Sequence, residues 1–267
     1  MPSAVDARNT EVTLDRPPRR IVSLVPSQTE LLAHLGLDET VVGITRFCER
    51  PSHWRDEKAI VGGTKKVDVA QVRALAPDLI LANHEENTRA DVSALSDVAP
   101  VFVTQVKTVT EALDMIRTVG HLTASADQTS TLAGKIISRF SHLPDFAPLR
   151  TAYLIWREPY MTVGGDTFIH DVMSWGGFDN AFGDRTRYPE VTLDTLAEMN
   201  LDLLLCSSEP FPFHQKEAFT QELRDALPHT SVEAVDGQPF SWYGPRLLDT
   251  PSYLQELRKR LSLPKAA

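Results

Sequence analysis

The segment RIVSLV, residues 20–25, is a continuous run rich in β-branched apolar residues, and the periodicity changes directly after it. A strand covered on both faces reads this way. In PSQTELLAHLGL the residues Leu31, Leu32 and Leu35 fall on one face of a helix. Ser27 or Thr29 supplies a cap for that helix, and Gly36 stops it. TVVGIT and APVFVT predict two further strands. Between them, VDVAQVRALAPDLILA predicts a helix carrying Val69, Val72 and Leu75, followed by a buried strand over Leu79 to Ala82. Strands alternating with helices predict a parallel α/β architecture.

From Val109 the apolar spacing turns helical, with Val109, Leu113, Ile116 and Val119 on one stripe. A second helix follows ASAD and carries Leu132, Ile136, Ile137 and Phe140, ending before the proline-containing linker LPDFAPL. The α/β alternation then restarts at AYLIW. The restart reads as a repeat at a spacing of 124 residues (191 − 67), which sets VTLDTLAEMNLDLLLCSSEP on VDVAQVRALAPDLILANHEE. Val69 then matches Leu193, Val72 matches Leu196, Leu75 matches Met199, Asp78 matches Asp202, Ile80 matches Leu204 and Glu85 matches Glu209. The expected fold class is α/β, with two similar Rossmann-like lobes joined by one long helix. The lobes are expected at 1–122 and 148–267, with the bridging helix and linker at 123–147.

Composition narrows the function. A chain of 267 residues with 42% hydrophobic and 24% charged residues has room for about two domains with real cores. The net charge of −9 excludes broad nucleic-acid binding, which needs a basic face. The first twenty residues contain no apolar h-region, and no span long enough to cross a membrane follows. The expectation is a cytoplasmic protein as the sequence stands, and a periplasmic one if a leader has been removed. Cys48 and Cys206 lie far apart with no metal or redox spacing, so two unpaired thiols near strand ends are expected.

Ligands of open α/β sheets gather at the carboxyl ends of strands. The loops expected there are PSQTE, TRFCERP and NHEEN in the first half, and WREPYMTVGGD, SSEPFPF and FSWYGPR in the second. Trp156, Arg157 and Tyr160 join flat rings to a guanidinium, and Phe240, Trp242, Tyr243 and Arg246 repeat that chemistry. Placement of some of these rings in the core is the competing reading. Gly164–Gly165 lacks the spacing of a phosphate loop, so a tight turn with Asp166 or Thr167 as helix cap is expected. His84, Glu85 and Glu86 have no second histidine at ligand spacing, which favours a solvated loop over a metal site. Glu49 and Glu158 have no evident acid–base partner, and no nucleophile motif occurs. A hydrolase would have to draw its base from Glu85, Glu209 or His84.

The stretches PPRRIVSLVPSQTELLAHLGL, VVGITRFCERP, VGGTKKVDVAQVRALAPDLILA and TVGGDTFIHDVMSWGG resemble the helical-backbone class of periplasmic substrate-binding proteins, and YPEVTLDTLAEMNLDLLLCSSEP extends the likeness. It covers roughly residues 10 to 260. The resemblance implies two lobes bridged by one helix, here Ala126 to Phe140, with a ligand cleft between them. It implies a binding protein for a large metal chelate, a corrinoid such as cobalamin first, a ferric siderophore or haem as the alternative. No intrinsic cofactor is implied. Phe47 and Arg246 stand where cobalamin binders of this class place an aromatic and an arginine. Tyr188 replaces a tryptophan, and another tryptophan is matched only by Thr64. The ligand-facing set is then Phe47, His84, Trp156, Arg157, Tyr160, Tyr188, Trp242, Tyr243 and Arg246. Members of the class dock on an ABC permease through one glutamate per lobe, and these positions fall on Ala70 and Asp194. Three rivals to a plain binding protein are a working transport component, an enzyme acting on the chelate and a ligand-free interaction module.

Overall fold

The structure, a computed structural model, describes residues 1–262. The chain divides into two compact units. One contains residues 1–106, 110–136 and 243–245, and the other contains 107–109, 137–242 and the chain from 246 on.

The first unit opens with a hairpin of β1 (Ser3–Val5) and β2 (Glu11–Thr13). It continues with β3 (Ile21–Ser23), α1 (Pro26–His34), β4 (Val41–Ile44), α2 (Trp54–Glu57), β5 (Ala59–Ile60) and a second hairpin of β6 (Gly62–Gly63) and β7 (Lys66–Val67). Then come α3 (Val69–Ala74), β8 (Leu79–Asn83), α4 (Arg89–Ser96), β9 (Val101–Thr104) and α5 (Val109–Leu122). Five strands form one parallel sheet in the order β5-β4-β3-β8-β9. β3, β8 and β9 are buried at every residue, as their continuous apolar runs require.

α6 (Ala126–Ser141) passes from one unit to the other, the division falling between Ile136 and Ile137. Leu132, Ile136 and Phe140 are buried along one stripe, whereas Ile137 is exposed. Ile137 had been expected on the buried face. One residue is a rotation of about 100°, which carries it off a stripe spaced by four.

The second unit holds β10 (Leu149–Leu154), β11 (Tyr160–Met161), α7 (Phe168–Trp175), β12 (Phe178–Asn180), β13 (Glu190–Val191), α8 (Leu193–Glu198) and β14 (Leu203–Ser207). α9 (Glu217–Ala226), β15 (Ser231–Val235), α10 (Gln238–Ser241) and α11 (Thr250–Ser262) complete it. Its parallel sheet has the order β12-β10-β14-β15, which repeats β4-β3-β8-β9 of the first unit.

The repeat holds residue by residue. β13, α8 and β14 have the same lengths as β7, α3 and β8 and lie 124 residues later. Asp68 caps α3 through Gln71 N, and Thr192 caps α8 through Thr195 N. The matched Ala76 and Asn200 both take positive φ, at 45° and 50°. The Asp78 carboxylate accepts from the backbone N–H of Arg19 and Arg20, while Arg20 Nε donates to Leu75 O at 2.8 Å. In the second unit Asp202 accepts from Arg150 N at 2.8 Å, and Arg150 Nε donates to Met199 O at 2.7 Å. Each clamp pins the end of a helix to the start of the neighbouring strands.

α1 departs from expectation at its start. Val25 is the N-cap and makes no side-chain cap bond, so neither Ser27 nor Thr29 caps the helix. Pro26 begins it earlier, because an N–H at the first helical position would have no partner within the helix and its absence costs nothing. Thr29 is buried instead, with Oγ1 at 2.8 Å from Ser23 Oγ and 2.9 Å from Val25 O.

Replacing Asp202 with Ala leaves Arg150 N without its carboxylate. It should lower unfolding free energy by about 1–2 kcal/mol, read as a lower urea midpoint, with Asp202→Asn falling between.

Candidate functional site

In each unit the parallel strands deliver their carboxyl-end loops to one edge, and most of the expected site residues stand on these loops.

In the first unit Phe47 follows β4 and is 54% exposed. Its seat is Gly63, where a Cβ would come within 3.1 Å of Phe47 Cε2 and 3.5 Å of Arg46 Nε. The Arg46 guanidinium carbon lies 5.9 Å from the Phe47 ring centre. Thr64 is buried, and its carbonyl accepts from Asn87 Nδ2. His84 is exposed, its backbone N–H bonded to Thr104 O. Asn83 Oδ1 accepts from the N–H groups of Glu85 and Glu86 and so shapes the NHEEN loop. Among the described residues no three His, Cys, Asp or Glu side chains come together as a metal site.

The second unit builds a larger aromatic surface. Trp156, 40% exposed, packs edge-on to Phe211 at 5.9 Å, and Phe211 in turn packs on Phe213 and Phe219 at 4.9 and 5.2 Å. Arg157 lies 5.0 Å over the Phe219 ring. Its Nη2 donates to Glu222 at 2.7 Å, and its Nη1 pairs with Glu158. The hydrogen bond to Glu222, above all, raises the guanidinium pKa. Burial pushes the Tyr160 phenol up, opposed by the adjacent Arg157. Both terminal nitrogens of Arg157, one of the expected ligand-facing residues, are engaged by carboxylates of the protein. Phe219 and Glu222 went unremarked in the sequence. Their signal is helical spacing on α9, one turn facing Arg157.

The double glycine serves packing. Gly164 N and Gly165 N donate to Arg187 O and Arg185 O, both at 2.8 Å. A Cβ on Gly164 would come within 2.5 Å of Arg185 O. These N–H groups are therefore not available to an anion. Thr167 caps α7 through His170 N, one of the two residues expected there.

Trp242 and Tyr243 are buried, at 7% and 8% exposure, so neither offers the open loop face expected of it. The indole N–H of Trp242 donates to Glu209 Oε1 at 2.9 Å, and Ser241 Oγ donates to the same oxygen at 2.6 Å. Glu209, matched with Glu85, thus fastens the loop after β15 to the loop after β14. Arg246 lies 6.0 Å over the Trp242 ring. The Arg187 guanidinium lies over the Tyr188 ring at 5.4 Å. Ala70 and Asp194 are exposed at matched positions of α3 and α8.

A match to the periplasmic binding protein family runs over residues 21–233. The chain belongs to that family. It is 29% identical over 276 residues to an ABC transporter substrate-binding lipoprotein of Bacillus subtilis, YvrC, covering 94% of this chain and 83% of that one. It is 25% identical over 240 residues to a vitamin B12-binding protein of Vibrio cholerae, covering 87% of this chain and 86% of the other. Among solved structures, a periplasmic heme binding protein from Pseudomonas aeruginosa superposes with a TM-score of 0.79 at 16% identity, covering 94% of this chain and 96% of that one. The two-lobe α/β fold is that of this family, whose members are binding proteins. No helix among the described residues is long and apolar enough to cross a membrane.

Two outcomes test the local chemistry. Glu209→Ala leaves the buried Trp242 indole N–H without its acceptor, while the Ser241 hydroxyl keeps Gly237 O. It should cost about 1–3 kcal/mol and shift tryptophan emission to the red, whereas Glu209→Gln, which keeps an acceptor, should do little. Burial pushes the Cys206 thiol up to about 12 and raises that of Cys48. Neither should react with a disulfide reagent in the folded protein near neutral pH, and both should react once it is unfolded.

Proposed function

We propose that this protein binds a large, flat metal chelate, a corrinoid such as cobalamin, and performs no chemistry on it. The observation that carries the reading is the aromatic surface of Trp156, Phe211 and Phe219 beside Arg157 at the carboxyl edge of the second sheet. Rings of this kind cover the apolar faces of a macrocycle and leave its rim to polar groups. The first unit has an exposed ring of its own in Phe47 on its glycine seat. Trp242 supports Arg246 from below rather than meeting ligand with its own face. The vitamin B12-binding relative agrees with a corrinoid as cargo. The metal arrives within the chelate, and the protein contributes contact surface.

The same geometry weighs against an enzyme. Glu209 already accepts from Ser241 and Trp242, which removes one of the three carboxylate or imidazole bases open to a hydrolase. In the manner of the lipoprotein relative, we place the protein outside the cytoplasmic membrane, delivering cargo to an ABC permease. Its docking carboxylate is then Asp194 alone, since Ala70 holds the matched place in the first unit.

Tryptophan emission titrated with cyanocobalamin, corrected for absorption by the corrinoid, tests the reading. Saturable quenching at roughly micromolar Kd or tighter, about −8 kcal/mol, is expected, and Trp156→Phe should remove most of it. A merely collisional response would sink the corrinoid and bring ferric siderophores and haem forward.

A further inference from the structure

Arg157 is the arginine placed over the rings of the Trp156 cluster, and its charge is already answered. Nη2 donates to Glu222 and Nη1 to Glu158, while the guanidinium plane covers Phe219. Lys216 adds a second cation over the same ring at 5.5 Å, so two cations face two carboxylates. Arg187, nearby in sequence to Tyr188, is likewise paired, with Asp166 at 3.9 Å. Both carboxylates are more exposed than the guanidinium they hold, their side chains 76% and 40% exposed against 22% for Arg157, and the exposed Lys216 offsets part of their charge.

An incoming rim group therefore meets acceptors before it meets the guanidinium. Each carboxylate has about four acceptor sites, and one or two are used here. A primary amide has two N–H donors to give and gains hydrogen bonds. A free carboxylate has none to give, meets like charge, and finds the Arg157 fork occupied. Discrimination built on a repulsive element of this kind needs no extra attraction to the favoured ligand.

We propose that this face selects a chelate whose rim carries neutral amides over one whose rim carries free carboxylates, and that Glu222 sets the selection by holding Arg157. The inference rests on the corrinoid reading and deepens it. It makes Glu222 a specificity residue rather than a bystander on α9.

The probes are cyanocobalamin and its monocarboxylic derivatives, in which one rim amide is hydrolysed to an acid. Size, metal and shape are kept, and only one group changes. Repulsion among partly exposed charges is worth up to about fivefold in Kd. The protein should bind the amide form about fivefold tighter than the acids, and Glu222→Gln should bring that ratio towards one. Raising salt from roughly 0.01 to 1 M, which shortens the screening length from about 30 to about 3 Å, should shrink the same ratio in the unaltered protein. Equal binding of amide and acid at low salt would overturn the inference and leave the corrinoid reading standing. So would a ratio that persists in folded Glu222→Gln. If that variant does not fold, a ratio indifferent to salt overturns it. Binding of neither probe removes the corrinoid reading and this inference with it.

Discussion

A parallel strand buried on both faces can be entered only from one end of its sheet and left only from the other. Helices must cover the faces, so every strand-to-helix loop is delivered to the carboxyl edge. In this chain that constraint acts twice. β3, β4, β8 and β9 place Phe47 and the NHEEN loop on one edge, and β10, β12, β14 and β15 place the Trp156, Phe211 and Trp242 loops on another. The Arg–Asp clamps at Asp78 and Asp202 stand at the opposite ends of the strands, where each helix hands the chain back to the sheet. The Arg–Asp clamps and the carboxyl-edge loops are thereby separated along the strand direction.

Within the second unit, charge is arranged so that most of it is answered locally. Glu222 and Glu158 hold Arg157, Asp166 holds Arg187, and Glu209 holds an indole and a hydroxyl. A surface of rings flanked by compensated charges attracts a flat, near-neutral molecule by contact area more than by field. In the first unit the exposed Phe47 ring packs over Gly63. The two halves share a scaffold and differ in what the scaffold carries.

The second unit also shows why loop chemistry resists reading from residue type. Gly164–Gly165 has the composition of an anion-binding turn, yet both N–H groups are spent on the 185–187 segment. Trp242 follows a serine in a loop stretch, yet is buried, with its indole N–H bonded to Glu209, 33 residues away in sequence.

The sequence by itself determined the α/β alternation, the long helix from Ala126 and the repeat at a spacing of 124 residues, down to matched aspartates. These follow from periodicity and local hydrogen bonding, which act over a few residues and leave their pattern in the chain. Only the tertiary structure decided that Phe219 and Glu222 join Trp156 and Arg157, that Arg157 is paired, and that Trp242 is covered. Those outcomes depend on which side chains meet across 33 to 65 residues of chain; helical spacing puts Phe219 and Glu222 on one face of α9, but only the fold brings that face to Arg157.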